Sequence, residues 1–251
     1  LVDANSTSFE WADHPTDVCL LPVGSFEQHS HHMPLDTDSI IADYWGRFLA
    51  EELDCALLPT LRITTSMEHS GFRGSMTLKP ETLMQVIRDI ADDLESQGFR
   101  ILIVLSCHGG NHCLVPAARH INRQERDLRI LLMNGYGHGR PDIKMDAPAS
   151  EIHAGEWETS VLMAIRPDLV KERREDIKPD ESEFPLKQPD LTMWGMIHFS
   201  EHGALGYPSL ASEEKGKAIV EACKKSIVPW TKDRIRRLRE LTYSGKQERR
   251  S

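Results

Sequence analysis

The chain has 251 residues, enough for one large α/β domain with a substantial core, and it reads as a single domain over 1–251. Its 30 Lys and Arg against 39 Asp and Glu give a formal charge of −9, which argues against nucleic-acid binding. The five cysteines, at 19, 55, 107, 113 and 223, include no CxxC pair, no apolar run approaches the ~20 residues that cross a bilayer, and the start carries no signal-peptide pattern, so a cytoplasmic protein without disulfides or a membrane partner is expected.

Residues 1–17 read as a polar loop. The apolar run 18–24 reads as a buried strand bounded by Gly24. In 39–53, Ile40, Ile41, Tyr44, Trp45, Phe48 and Leu49 recur at helical spacing, a stripe that belongs to a core. A second short strand is expected over 56–61, followed by a Gly-punctuated loop over 64–77. Pro80 opens a helix at its first turn, and Gly98 stops it after about residue 97. Residues 100–106, RILIVLS, are continuously apolar and β-branched, as in a strand buried on both faces. A helix over 112–124, a strand over 129–133 and a helix reaching 165 follow. This alternation predicts a layered α/β sandwich, with a mainly parallel central sheet flanked by helices. The segment 167–198 is irregular and Pro-rich, in the manner of a lid or an interface. Residues 199–210 are Gly/Pro-punctuated. A last helix is expected from 212 to 227, where Pro229 breaks it, with a second helical piece to about 241. The excess of Lys and Arg after 232 reads as a solvated helix face and a tail.

Three stretches carry ligand-type side chains. The first strand empties into Glu27, His29, His31, His32, Asp36 and Asp38, where open α/β sheets place their ligands. The second long strand empties into Cys107-His108-Gly109-Gly110-Asn111, and HAGEWETS over 153–160 opens a helix with His153 and Glu158. Carboxylate and imidazole together suit zinc, manganese or iron better than calcium or magnesium. Plainer readings stand beside this one. Asp38 alone reads as the N-cap of the helix that follows it, and at least one of His31 and His32 reads as a surface residue. Asn111 either orients a substrate or, more simply, caps the next helix. Trp157 packs in the core or lines the pocket, packing being the commoner fate. His69, Arg73 and His202 lie in loops able to reach the site, and Arg73 suits an anionic group of a substrate. His112, His120 and His138 carry no assignment.

The motifs LPVGSFEQHSHHMPLDTD, SCHGGN, HAGEWETS and GYPSLASEEKG occur in this order, and together they resemble the creatininase (creatinine amidohydrolase) family. The resemblance spans residues 20–217. It implies two divalent metal ions (zinc, manganese or iron), hydrolysis of a C–N bond in a small-molecule substrate such as a cyclic amide or formamide, and a homo-oligomer, often a hexamer. Carried over by motif, Glu27 and His108 hold one metal, His29 and Glu158 the other, Asp38 bridges them, and His153 is the proton shuttle. The chain also departs from the family pattern. Ser30 and His31 stand where the family commonly has Gly and Pro, Gly110 stands where creatininase itself has Glu, and residues 135–156 contain no Trp. These departures point to a substrate other than creatinine. Deformylation of a formamidopyrimidine and hydrolysis of an oxidised inositol are the alternatives within the family, and maturation-peptide cleavage is another of its activities. Outside it stand a two-metal phosphoesterase and a catalytically inactive, metal-containing assembly protein.

Overall fold

The computed structural model describes residues 1–135, 143–148, 151–178 and 188–248. Four strands form one parallel sheet: β1 (Val18–Val23), β2 (Ala56–Leu57), β3 (Ile101–Ser106) and β4 (Arg129–Asn134), in the order β2-β1-β3-β4. Alternate residues of the strands face opposite layers, as the period of two requires. Val18 and Leu20 of β1 and Ile101, Ile103 and Leu105 of β3 pack against α2 (Thr37–Leu53), α5 (Glu156–Ile165) and α7 (Glu213–Glu248). Cys19, Leu21, Val23, Leu102 and Val104 face the other way, onto α3 (Pro80–Ser96) and α4 (Leu114–Asn122). The architecture is the three-layer α/β sandwich expected from the sequence, and all five cysteines are free and buried in it. Among the described residues no helix is long and apolar enough to cross a membrane.

The chain runs from β1 outward to β2, then back across to β3 on the other side of β1. The direction of winding therefore reverses between β1 and β3, and the crevice beyond their carboxyl ends is where such sheets bind ligands. Register sharpens the point. Val23 is paired with Ser106, and the Cys107 amide donates to the Val23 carbonyl at 2.9 Å, so the segments bearing Glu27 and His108 leave the sheet side by side.

Several elements differ from expectation. Residues 1–17 contain a short helix, α1 (Ser8–Asp13), closed by a capping box in which Thr7 and Glu10 satisfy each other's backbone donors. Strand β2 is two residues long because Pro59 follows, and proline cannot donate to a ladder. Even so, Leu58 and Leu61 still donate to Leu20 and Pro22 of β1 at 2.9 and 3.0 Å. Helix α4 is shorter than 112–124 at both ends. Helix α7 runs unbroken through Pro229. An interior proline costs a helix roughly 3 kcal/mol. The continuing apolar face, with Ile219, Val220, Cys223, Ile227 and Ile235 buried in one core, offsets that cost. The Pro-rich segment expected to be irregular contains a short helix, α6 (Gln188–Trp194), while His138 and residues 179–187 lie outside the described residues.

Candidate metal centre

Glu27, His29, Asp38, His108, His153 and Glu158 converge beyond β1 and β3. The Asp38 carboxylate stands in the middle, with Oδ2 3.0 Å from His108 Nδ1 and Oδ1 3.6 Å from His29 Nε2. Glu27 Oε2 lies 3.1 Å from His108 Nε2, and Glu158 Oε1 lies 3.7 Å from His29 Nε2. His153 Nδ1 is 4.0 Å from Glu27 Oε1, and its ring sits 4.5 Å from that of His29. Three overlapping triads, Glu27/His29/Asp38, His29/His153/Glu158 and Glu27/His69/His153, each hold one donor atom apiece within 4.8 Å of one another.

Local structure explains each placement. Helix α2 begins at Thr37, so Asp38 lies inside its first turn instead of at its N-cap, and its side chain caps nothing. Ser25 Oγ donates to Asp38 Oδ2 at 2.7 Å, and Ser39 Oγ donates back to the Ser25 carbonyl at 2.9 Å, clamping the helix start onto the end of β1. His29 Nδ1 lies 3.1 Å from the Glu27 carbonyl. A carbonyl only accepts, so Nδ1 carries the proton and Nε2 turns its lone pair to the two carboxylates. His153 is held in the same way, with Nε2 donating to the Gln28 carbonyl at 2.9 Å and Nδ1 left facing Glu27. Ser30 and Ala154, next to His29 and His153, adopt left-handed backbone at φ 58° and 51°, a conformation that costs a non-glycine residue about 1–2 kcal/mol. The strain sits beside the residues that must be aimed.

The donors fit a bound metal cation on an observation independent of any family. Both oxygens of Glu27 and Nε2 of His29 are buried and make no hydrogen bond. Orphaned buried acceptors of this kind cost free energy unless a cation completes them. Protonation follows the same pattern. Burial pulls the His29 and His108 imidazoles down, yet Glu158 and Asp38 around the first, and Glu27, Asp38 and Glu68 around the second, raise both well above the usual imidazole range. Burial pushes the Asp38 carboxyl up, but His108 and His29 hold it well below its ordinary value. Without metal, protons supply the positive charge that these carboxylates demand.

Two neighbours join the cluster from the 64–77 loop: His69, which the sequence placed in a loop able to reach the site, and Glu68, which it did not single out. Glu68, on the 3-10 turn Met67–His69, places Oε1 3.4 Å from His108 Nε2. His69 Nδ1 accepts from Gln28 Nε2 at 2.7 Å, so its Nε2 carries a proton toward Glu27 Oε1, 3.3 Å away. Burial and the imidazoles of His153, His108 and His29 keep His69 neutral, well below its usual range. The adjacent Glu68-His69 pair in a Gly-punctuated loop was the available signal, because it repeats the donor chemistry of the first motif.

Other candidates fall elsewhere. Asn111 is not a cap, since Cys113 holds that position. Its buried amide instead donates to the Gly24 carbonyl at 3.1 Å and accepts from Thr65 Oγ1 at 2.9 Å, tying β1 to the 64–77 loop. Trp157 packs in the α2–α7 core. Arg73 is exposed on the turn between Gly71 and Gly74. His32 is fully buried, bonded through Nε2 to Thr159 Oγ1 at 3.0 Å and pushed down to about 4 by burial and by His29. His31 is half-buried and stacks 4.6 Å from His202, beside Glu175. The fourth motif closes the third: Lys215 pairs with the fully buried Glu156.

A sequence profile described as "Creatininase: Creatinine amidohydrolase" matches residues 3–230. The chain belongs to the creatininase family. It is 31% identical over 231 residues to the mycofactocin precursor peptide peptidase of Mycolicibacterium smegmatis, covering 86% of each chain. It is 27% identical over 228 residues to the creatinine amidohydrolase of Pseudomonas putida, covering 84% of this chain and 86% of that one. A solved creatininase in its manganese form superposes with a TM-score of 0.76 over 93% of this chain and 98% of that one, at 24% identity. The members of this family are hydrolases, and the cluster described above is where their chemistry is to be sought in this chain.

Proposed function

We propose that this creatininase-family hydrolase uses a pair of divalent metals, zinc, manganese or iron, to cleave a C–N bond next to a carbonyl group. The observation that carries the reading is Asp38, whose two oxygens face two separate imidazoles, each with a further carboxylate of its own. Glu27 and His108 would hold one ion, His29 and Glu158 the other, and Asp38 both. When bound, such a pair lowers the pKa of water from ~16 toward ~7 and takes up charge developing on a carbonyl oxygen. The residues supply the rest. His69, held by Gln28 through Nδ1, sets a neutral imidazole beside Glu27, with Nε2 3.3 Å from Oε1. His153, anchored through Nε2, takes a proton at Nδ1 and passes it to the departing nitrogen, a contribution of about 10²–10⁴-fold. Near-complete burial of Glu27, His29 and Asp38 excludes bulk water from their side of the cluster.

Cyclic amides and formamides fit this chemistry. A peptide bond is the second reading, supported by the 31% identity to a precursor peptide peptidase. The test is elemental analysis of the purified protein, with activity screened over cyclic amides, formamides, oxidised inositols and short peptides before and after chelation. About two metals per chain and chelator-sensitive turnover are expected. Retained turnover in a metal-depleted Asp38→Ala protein would refute the mechanism.

A further inference from the structure

Gly110 lies two residues after His108, and the space above it is already taken. A Cβ on Gly110 would stand 1.7 Å from Glu68 Oε1, 2.6 Å from Glu68 Cδ and 2.4 Å from His108 Nε2. Position 110 and the Glu68 carboxylate are therefore mutually exclusive occupants of one volume. Glu68 is buried, and its carboxylate approaches His108 Nε2, the nitrogen that faces Glu27 Oε2 and donates to the Thr65 carbonyl at 2.9 Å, so the His108 lone pair, on Nδ1, is turned to Asp38. The loop that carries it is tied down on both sides. Thr64 Oγ1 donates to the Gly24 carbonyl at 2.6 Å, the Thr65 amide and hydroxyl both bond Asn111 Oδ1, and the Ser66 amide donates to Thr77 Oγ1 at 2.9 Å. A buried carboxylate whose ion-pair partner is an imidazole already shared with two other carboxylates is short of positive charge.

We propose that Glu68 is a metal-binding carboxylate of this centre, reaching the Glu27–His108 side from the 64–77 loop through the volume that glycine at 110 leaves open. The proposal deepens the metal-centre reading and rests on it. Charge supports it. With neutral imidazoles, Glu27, Asp38 and Glu158 leave two divalent ions with one uncompensated positive charge, and Glu68 neutralises it.

The test compares the wild-type protein with Glu68→Gln and with Glu68→Asp, which keeps a carboxylate on the same chain segment. Metal content after dialysis, competition against a chromogenic chelator and the absorption spectrum of the cobalt-loaded protein are read for each. Glu68→Gln should weaken one of the two metals by about 10–100-fold or more and change the cobalt spectrum. Glu68→Asp should retain more of that affinity than Glu68→Gln, because the negative charge stays on the loop. Two metals bound by Glu68→Gln with wild-type affinity and spectrum would overturn the proposal. Weakened binding in Glu68→Gln with an unchanged cobalt spectrum would also overturn it, leaving Glu68 as a positioning neighbour of His108. Absence of metal from the wild-type protein, even after reconstitution, would instead overturn the metal-centre reading itself.

Discussion

Replacing Gly24 by alanine probes the joint between the central sheet and the metal centre. The added methyl would stand 2.5 Å from Ser39 Cα, 2.6 Å from Ser39 N and 2.4 Å from Ser39 Oγ. Carbon atoms in contact want roughly 3.5–4 Å, so the first turn of α2 must retreat by about 1 Å. No side-chain rotation relieves a clash with backbone. Overpacking of this kind costs about 1–3 kcal/mol, and a chain of this length loses about 2–4 °C of melting temperature per kcal/mol. Thermal unfolding should therefore shift downward by roughly 2–12 °C. The retreat also carries Asp38 away from His108 and His29, now 3.0 and 3.6 Å distant, so metal affinity should fall as well. Leu83→Ala is the control. Leu83 is fully buried in the α3 layer, and its truncation should cost about 2–5 kcal/mol while leaving metal affinity intact. Calorimetry and chelator competition on both variants decide the matter. A Gly24→Ala protein that melts and binds metal like the wild type would refute the argument that close approach at this glycine sets the position of Asp38.

Further predictions follow the same contacts. Ser25→Ala removes the 2.7 Å donor to Asp38 and should weaken metal binding by about 10–100-fold in chelator competition, with the melting temperature of the metal-free protein changing little by comparison. Lys215→Met leaves Glu156 buried without its cation. Because Lys215 is itself partly exposed, the loss should fall at the low end of the usual range, about 3 kcal/mol or roughly 6–12 °C by calorimetry, and Glu156→Gln in the same background should recover part of it. Metal affinity should rise with pH. His29 and His108 are held protonated above their usual range in the metal-free protein, so binding must release protons, and it weakens as pH falls through those raised values. By the same sign, the stabilisation from these imidazolium–carboxylate contacts is complete below the unfolded imidazole value and is lost as pH rises through the raised ones. Calorimetric titration in buffers of different ionisation enthalpy measures the released protons, and a value of zero would refute the assignment.

What could be read from the sequence follows from how local each feature is. Strands β1 and β3 announce themselves because burial on both faces demands an uninterrupted apolar run. Their shared polarity, with carboxylate and imidazole residues after each, points to the end of the sheet where the candidate site lies. Asp38 shows the limit. Its spacing from the Ile40–Leu49 stripe fits a cap, and only the tertiary bonds to Ser25 and His108 show a side chain turned inward. Glu68 sits in a segment without periodicity, and its position depends on clamps from Gly24, Asn111 and Thr77, all distant in the chain. Pro229 misleads because a local penalty of a few kcal/mol says nothing about the long apolar face that outweighs it. Thr7 and Glu10 did carry a legible capping signature, but six residues with no buried side chain offer no hydrophobic period to accompany it.

The inaccessibility of Glu27, His29 and Asp38 has a kinetic consequence. In the metal-loaded protein proposed above, an ion would reach donors buried this deeply from the side of Glu158, Glu68 and His153, where the side chains are part-exposed, and would leave only when the donors on that side open. Exchange then runs at the frequency of that opening. Stripping by a chelator should reach a plateau rate that adding more chelator does not raise, and cells that express the protein would load it most readily during synthesis, before α2 has settled on the sheet.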